Sequence, residues 1–250
     1  MDFVEILIGV IQGLTEFLPV SSSGHIAALE HWFGVFSPSL SREVALHLAT
    51  LLAVFVYFRR KIWELVSSWV KGREWDYFLY LVVGSIPAAL VGLLLENIIE
   101  RAFSSLHSMA AFFFITSLFL FSTRWAKNRG NRINLLNSLL VGIAQAFAIF
   151  PGISRSGATI SAGLHLGIEP EEAFEFSFLL SIPAILGAGF LELTKVPASS
   201  MLSHWQGALA AFLVGYVSLA LLGKIVKKGK LWVFSPYLLL LSLLILILGG

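Results

Sequence analysis

Long apolar runs alternate with short charged connections along most of this 250-residue chain. The runs occupy positions 44–58, 76–95, 109–123, 172–191, 205–223 and 233–248. A membrane-crossing helix needs ~17–25 apolar residues, and the first run, though short, can extend at its ends. Six full spans are predicted. Two further stretches, 3–33 and 133–166, are each a pair of shorter apolar pieces split by a polar loop. Pro19 and Pro151 stand just before those breaks, where a helix is expected to stop. Irregular backbone at membrane depth is tolerated only where protein buries it or it lines a cavity, so both stretches read as re-entrant helical hairpins.

The two polar loops repeat one another. The first, over 12–25, reads Q-G-L-T-E-F-L-P-V-S-S-S-G-H, and the second, over 145–159, reads Q-A-F-A-I-F-P-G-I-S-R-S-G-A-T. Laid together without a gap, Gly9 meets Gly142, Gln12 meets Gln145, Ser21 meets Ser154, Ser23 meets Ser156 and Gly24 meets Gly157. A weaker match aligns 82–92 with 213–223, pairing Gly84 with Gly215 and Gly92 with Gly223. The chain thus reads as one membrane domain over 1–250, with a first repeat over 1–123 and a second over 133–250. Each half holds one hairpin and three spans, an odd number of crossings, so the halves must lie in the bilayer with opposite orientation. The fold class is an all-α integral membrane protein built as an inverted-topology repeat, six transmembrane spans plus two re-entrant hairpins.

Composition agrees: 57% of residues are hydrophobic, 13% charged, and mean hydropathy is +0.86. The net charge of +2 says little, but the placement of charge fixes orientation. Arg59, Arg60, Lys61, Lys71 and Arg73 share one connection, Arg124, Lys127, Arg129 and Arg132 a second, and Lys224, Lys227, Lys228 and Lys230 a third. The positive-inside rule makes all three cytoplasmic and leaves both termini outside, in a cell membrane. Trp32, Trp63, Trp69, Trp75, Trp125, Trp205 and Trp232 all fall near proposed span ends, as interfacial belts require. The absence of cysteine excludes disulfides, thiolate metal sites and a thiol nucleophile. The opening residues lack the basic region of a cleavable signal, so the first helix is expected to persist. The basic loops are assigned to topology and anionic lipid rather than nucleic acid, and the chain is compatible with a homodimer.

Ionisable groups at membrane depth are costly and mark function by default. A helix restarting at Ser22 presents unpaired backbone N–H groups and the positive end of its dipole. Serine suits the cap, and glycine lets a ligand approach the backbone. The second loop offers the same at Ser154, Ser156 and Gly157, so two helix N-termini converge on an anion, most naturally phosphate. Expected phosphate contacts are Ser21, Ser23, Gly24, Ser154, Arg155, Ser156, Gly157 and Thr159, with the Arg155 fork matching phosphate oxygens bidentately. The loops differ chemically, because Ser22 aligns with Arg155, His25 with Ala158 and Glu16 with Ile149. Ser22, Glu16 and His25 therefore sit on a catalytic side facing an Arg155 clamp. Three residues apart, Ser22 and His25 are expected to pair as nucleophile and base. Gln12 and Glu16, four apart, could hold Mg2+ or Ca2+ through oxygen. Glu16 could instead pair with Arg155, which is also what an anion site without its anion would show.

The Q-x-x-x-E and P-V-S-S-S-G-H run, followed in the second half by P-G-I-S-R-S-G-A-T, closely resembles the undecaprenyl-diphosphate phosphatases linked to bacitracin resistance. The likeness extends over nearly the whole chain. It implies a membrane enzyme that hydrolyses a long polyprenyl diphosphate to the monophosphate and phosphate, recycling the lipid carrier for cell-wall synthesis. It carries function onto Gln12, Glu16, Ser22, His25, Ser154, Arg155, Ser156 and Thr159. Many family members have glutamate where this chain has Gln12, which weakens a two-carboxylate metal site.

Inverted repeats with broken helices also describe transporters, so a flippase for an anionic polyprenyl lipid is the competing class. A carrier needs clamps in both loops but has no use for Glu16, Ser22 and His25 gathered in one. That asymmetry favours an enzyme. It leaves open whether Ser22 attacks, giving a phosphoserine, or water does. His47, Glu175 and Glu192 read as structural or interfacial, and Pro87 and Pro183 as helix kinks.

Overall fold

The computed structural model describes residues 3–33, 39–71, 75–193 and 195–248, without the side chains at 33, 188 and 190–193. Met1, Asp2, Arg73 and the Glu192 side chain lie outside that set. Thirteen α-helices form among the described residues: α1 Phe3–Phe17, α2 Ser22–Phe33, α3 Leu40–Tyr57, α4 Arg59–Val70, α5 Trp75–Leu94, α6 Glu96–Phe103 and α7 Leu106–Ser122. They continue with α8 Leu135–Phe147, α9 Arg155–His165, α10 Pro170–Leu193, α11 Ala198–Leu202, α12 Trp205–Lys227 and α13 Ser235–Leu248. No strand forms among these residues beyond an isolated bridge between Asn131 and Ile168.

Local chemistry sets most boundaries. Ser39, Ser105, Asn134 and Ser154 cap α3, α7, α8 and α9, each accepting from the backbone N–H three residues on. Pro170 opens α10, where its missing N–H costs nothing. α1 and α8 end at Phe17 and Phe147, ahead of Pro19 and Pro151 as expected. Pro87 and Pro183 lie inside α5 and α10.

Five helical segments are long and apolar enough to cross a bilayer: Leu40–Tyr57, Trp75–Leu94, Leu106–Trp125, Trp205–Lys227 and Leu231–Leu248. This is a multi-pass membrane architecture. The run at 172–191 corresponds to α10, 24 residues long. The first basic connection is not a loop but largely the amphipathic helix α4, which buries none of its residues and exposes Trp63 and Trp69. In α5 only Gly84 is buried, while Phe78, Leu79, Val82, Leu90, Leu93 and Leu94 face outward. Contiguous apolar exposure of that kind belongs against lipid.

The halves of the chain interlock through close helix pairs. α1 lies along α12, where Gly9 meets the Gly207 carbonyl and a Cβ at Gly13 would come within 2.7 Å of the Ala211 oxygen. α8 lies along α5 in the same way, with Gly142 against the Gly84 carbonyl. Lipid tails supply no hydrophobic drive for helix association, so backbone contact at small residues holds such pairs. Gly84 thus faces Gly142 as Gly207 faces Gly9. α7 and α13 are fastened by Ser117 to Ser235 at 3.0 Å and by Ser242 donating to the Ala110 carbonyl at 2.7 Å. Fully buried Phe17, Phe113, Phe176 and Phe178 fill the centre, and Phe17 packs edge-on to Phe178 at 5.7 Å.

Candidate active site

The tips of the two broken helix pairs meet at this centre. Ser21 ends the first break in a left-handed turn, φ 68°, and its Oγ accepts from the Gly152 N–H at 3.1 Å. Gly152 is itself left-handed at φ 97°, and its carbonyl accepts from Thr116 Oγ1 at 2.9 Å. A side chain at Gly24 would strike Phe113 and the Gly152 backbone, and one at Gly157 would meet Pro19 at 3.3 Å. Each tip is thus keyed into the other by glycine. The starts of α2 and α9 consequently line one cavity of about 450 Å³, of a size that takes small molecules.

Glu16, near the end of α1, organises the polar end of this cavity. Its Oε1 accepts from Arg155 Nη2 at 2.9 Å, and its Oε2 accepts from Ser22 Oγ at 2.6 Å and Gln12 Nε2 at 3.2 Å. The Glu16 and Arg155 side chains are 7% and 15% exposed, so the pair is largely shielded from water. Arg155 Nη1, also buried, finds no partner among the described residues. A buried unmet donor costs ~1–3 kcal/mol, more when charged, and this one belongs to a side chain that lines the cavity. The Arg155 backbone opens α9, whose Ser154 cap accepts from Gly157 N at 3.1 Å, so a dipole end adds to the guanidinium charge.

Of the residues expected from sequence, Gln12, Glu16, Ser21, Ser22, Ser23, Ser154 and Arg155 line the cavity together. Gly24, Ser156, Gly157 and Thr159 do not. Gly24 and Gly157 key the tips, Ser156 lies 3.3 Å from Ser154 Oγ, and Thr159 bonds the Arg155 carbonyl at 2.8 Å and Ser177 at 2.6 Å. They hold the clamp rather than face the cavity.

The expected pairing of Ser22 with His25 is corrected. Ser22 turns to Glu16, while His25 Nδ1 lies 2.8 Å from the Ser21 carbonyl and Nε2 2.6 Å from the Tyr237 hydroxyl. His25 does not line the cavity, and both ring nitrogens are engaged elsewhere. Sequence reasoning undervalued His47, which lines the cavity with Nε2 4.0 Å from Glu16 Oε2 and Nδ1 3.0 Å from the Glu43 carbonyl. Its signal was there, an ionisable group inside an apolar span. Tyr237 carried no such signal.

As for a cation, Glu16 and Gln12 do adjoin at the cavity wall, but three donors already occupy the Glu16 oxygens. Among the described residues no group of three or more His, Asp or Glu is arranged to hold a metal. Glu30 and Glu43 also line the cavity, but among the described residues they do not gather with Glu16 into such a group. Beyond Glu16 the cavity continues between apolar residues of three helices: Val44 and Leu48 of α3, Ile99 and Phe103 of α6, Ala184 and Ile185 of α10.

Comparison with known proteins gives a consistent answer. The profile of the family described as "Bacitracin resistance protein BacA" matches residues 5–244. The undecaprenyl-diphosphatase of Thermosipho africanus is 40% identical over 248 residues, 98% of this chain and 99% of its own. That of Methanococcus maripaludis is 42% identical, covering 97% of this chain and 98% of its own. That of Korarchaeum cryptofilum is 40% identical, covering 96% of this chain and 97% of its own.

Proposed function

The chain belongs to the bacitracin resistance protein BacA family, and from that premise we propose how its cavity acts as an undecaprenyl-diphosphatase. The reaction removes the terminal phosphate of undecaprenyl diphosphate, returning the lipid monophosphate for cell-wall synthesis and conferring bacitracin resistance. One observation carries the assignment: the buried Arg155 guanidinium spends Nη2 on Glu16 and leaves Nη1 without a partner among the described residues, on a side chain that lines a cavity walled by both polar and apolar residues. A phosphate oxygen satisfies that donor, and an isoprenoid chain suits the limb between α3, α6 and α10.

The terminal phosphate lies between the two helix starts, held by Arg155 and by the first N–H groups of α2 and α9. Glu16, accepting from Ser22 Oγ at 2.6 Å, is placed to take a proton as an oxygen attacks phosphorus. That oxygen is Ser22 Oγ, giving a phosphoserine that water then hydrolyses, or a water molecule in its place. In either route the bridging oxygen leaves with the lipid monophosphate, and Arg155 holds the charge that develops on the transferred group. This moves the base assignment from His25 to Glu16.

A magnesium or calcium ion, if one takes part, would be held on the protein side by Glu16 and Gln12, which adjoin at the cavity wall. Such an ion would neutralise charge on the diphosphate. The finer architecture is part of the same proposal: an inverted repeat over 1–123 and 133–250, six spans, two re-entrant hairpins and both termini outside the cell membrane. The matching Gly9–Gly207 and Gly142–Gly84 contacts support it, as do the basic connections. Purified protein incubated with undecaprenyl diphosphate should release inorganic phosphate; failure to do so under any cation condition would sink the reading.

A further inference from the structure

His25 faces away from the cavity, yet it is tied into the turn that aims Ser22. The Ser21 carbonyl can only accept, so the 2.8 Å contact places the imidazole proton on Nδ1. In the neutral ring Nε2 is then an acceptor, and the Tyr237 hydroxyl at 2.6 Å donates to it. The same carbonyl also accepts the His25 backbone N–H at 3.2 Å. The ring is stacked on Tyr237, centroids 5.7 Å apart and planes 11° from parallel, and meets the buried Phe113 edge-on at 5.5 Å. These contacts turn the ring away from Ser22.

The turn it holds is a strained one. Ser21 is the only residue other than glycine with positive φ among the described residues. A left-handed serine persists only where its surroundings over-determine it. Its side chain is taken by the Gly152 N–H of the opposite tip, and its carbonyl by His25. The next residue is Ser22, whose hydroxyl reaches Glu16 at 2.6 Å. Tyr237 is anchored in turn, because α13 is bonded to α7 through Ser235 and Ser242.

We propose that His25 and Tyr237 are a positioning pair: Tyr237 fixes the imidazole so that Nδ1–H locks the left-handed Ser21 turn, which presents Ser22 to Glu16. The inference rests on the diphosphatase reading for its kinetic test but not for its spectroscopic one.

The test is a rescue series in the full-length purified protein. An asparagine amide can place an N–H near the position of Nδ1, whereas glutamine reaches only toward that of Nε2. His25→Ala should lower kcat by at least about tenfold, the usual scale for a lost positioning bond, with KM little changed. His25→Asn should recover most of that loss with the wild-type pH profile, and His25→Gln should not. Tyr237→Phe should cost about three- to tenfold in wild type and nothing further in the His25→Asn background, where no Nε2 remains to be held. If His25→Asn is as inactive as His25→Ala while its melting temperature is unchanged, His25 transfers protons and the inference is wrong. Nitrogen-15 NMR of labelled histidine reads the tautomer without turnover. A neutral His25 protonated at Nδ1 supports the pair, and protonation at Nε2 overturns it even if the wild-type protein proves inactive on this substrate.

Discussion

Arg155→Lys is the sharpest perturbation of the proposed site, because it keeps the charge and removes the geometry. The guanidinium serves two acceptors from one plane, with Nη2 on Glu16 at 2.9 Å and Nη1 left for phosphate. A lysine ammonium is a point charge on a flexible stem and cannot reproduce that fork. It keeps the pairing with Glu16, so the buried carboxylate is not stranded and the fold should survive. The loss is one charge-assisted hydrogen bond to the transferring phosphoryl group, worth ~1.5–3 kcal/mol. At about 1.36 kcal/mol per decade, that predicts a roughly ten- to 160-fold fall in kcat/KM. The assay is phosphate release from undecaprenyl diphosphate by detergent-purified protein over a range of substrate concentrations, beside a thermal melt of each variant. A fall in kcat locates the contact in the transition state, and a rise in KM alone locates it in ground-state binding. A melting temperature like that of wild type with kcat/KM within about twofold of it would remove Arg155 from the phosphate and refute the clamp.

Three further outcomes are expected. Ser22→Ala should cost at least about a hundredfold if the serine attacks phosphorus, but only about tenfold if it merely positions Glu16 or a water, and retention of full activity would exclude both roles. Excess chelator should abolish phosphate release, with recovery on Mg2+ or Ca2+; undiminished turnover in EDTA would end the shared-ion proposal. Because the chain has no native cysteine, Lys127→Cys and Ser199→Cys can be labelled singly with an impermeant reagent. They should react from opposite faces of the membrane, and reaction of both from one face would exclude the inverted arrangement.

What the sequence determined was whatever depends on neighbouring residues or on the bilayer. Hydropathy placed five of its six expected spans within a few residues of the five helical segments long and apolar enough to cross a bilayer, because lipid dictates both the length and the internal hydrogen bonding of anything that crosses it. Pro19 and Pro151 marked the helix breaks, and the serine–glycine steps after them marked the restarts. The gap-free overlay of the two loops set Ser22 opposite Arg155, and both residues line the same cavity. Even the Glu16–Arg155 contact was legible, since two opposite charges brought to membrane depth have few other partners.

Tertiary structure alone decided which atoms meet. Three-residue spacing put Ser22 and His25 on one helical face, but the left-handed turn at Ser21 and the keyed tips send Ser22 back to α1 and His25 across to α13. Tyr237 lies 212 positions from His25, and no local pattern couples them. The motif residues Gly24 and Gly157 looked like phosphate ligands, yet they serve the contact between tips, because the spacing that exposes a backbone to an anion also lets a second backbone approach, while Ser156 and Thr159 bond within the second tip and to α10. Several glycines of the apolar α12 could serve a close helix contact, and only packing sets Gly207 against Gly9. A side chain's partner depends on helix rotation and crossing, which packing fixes and periodicity leaves free.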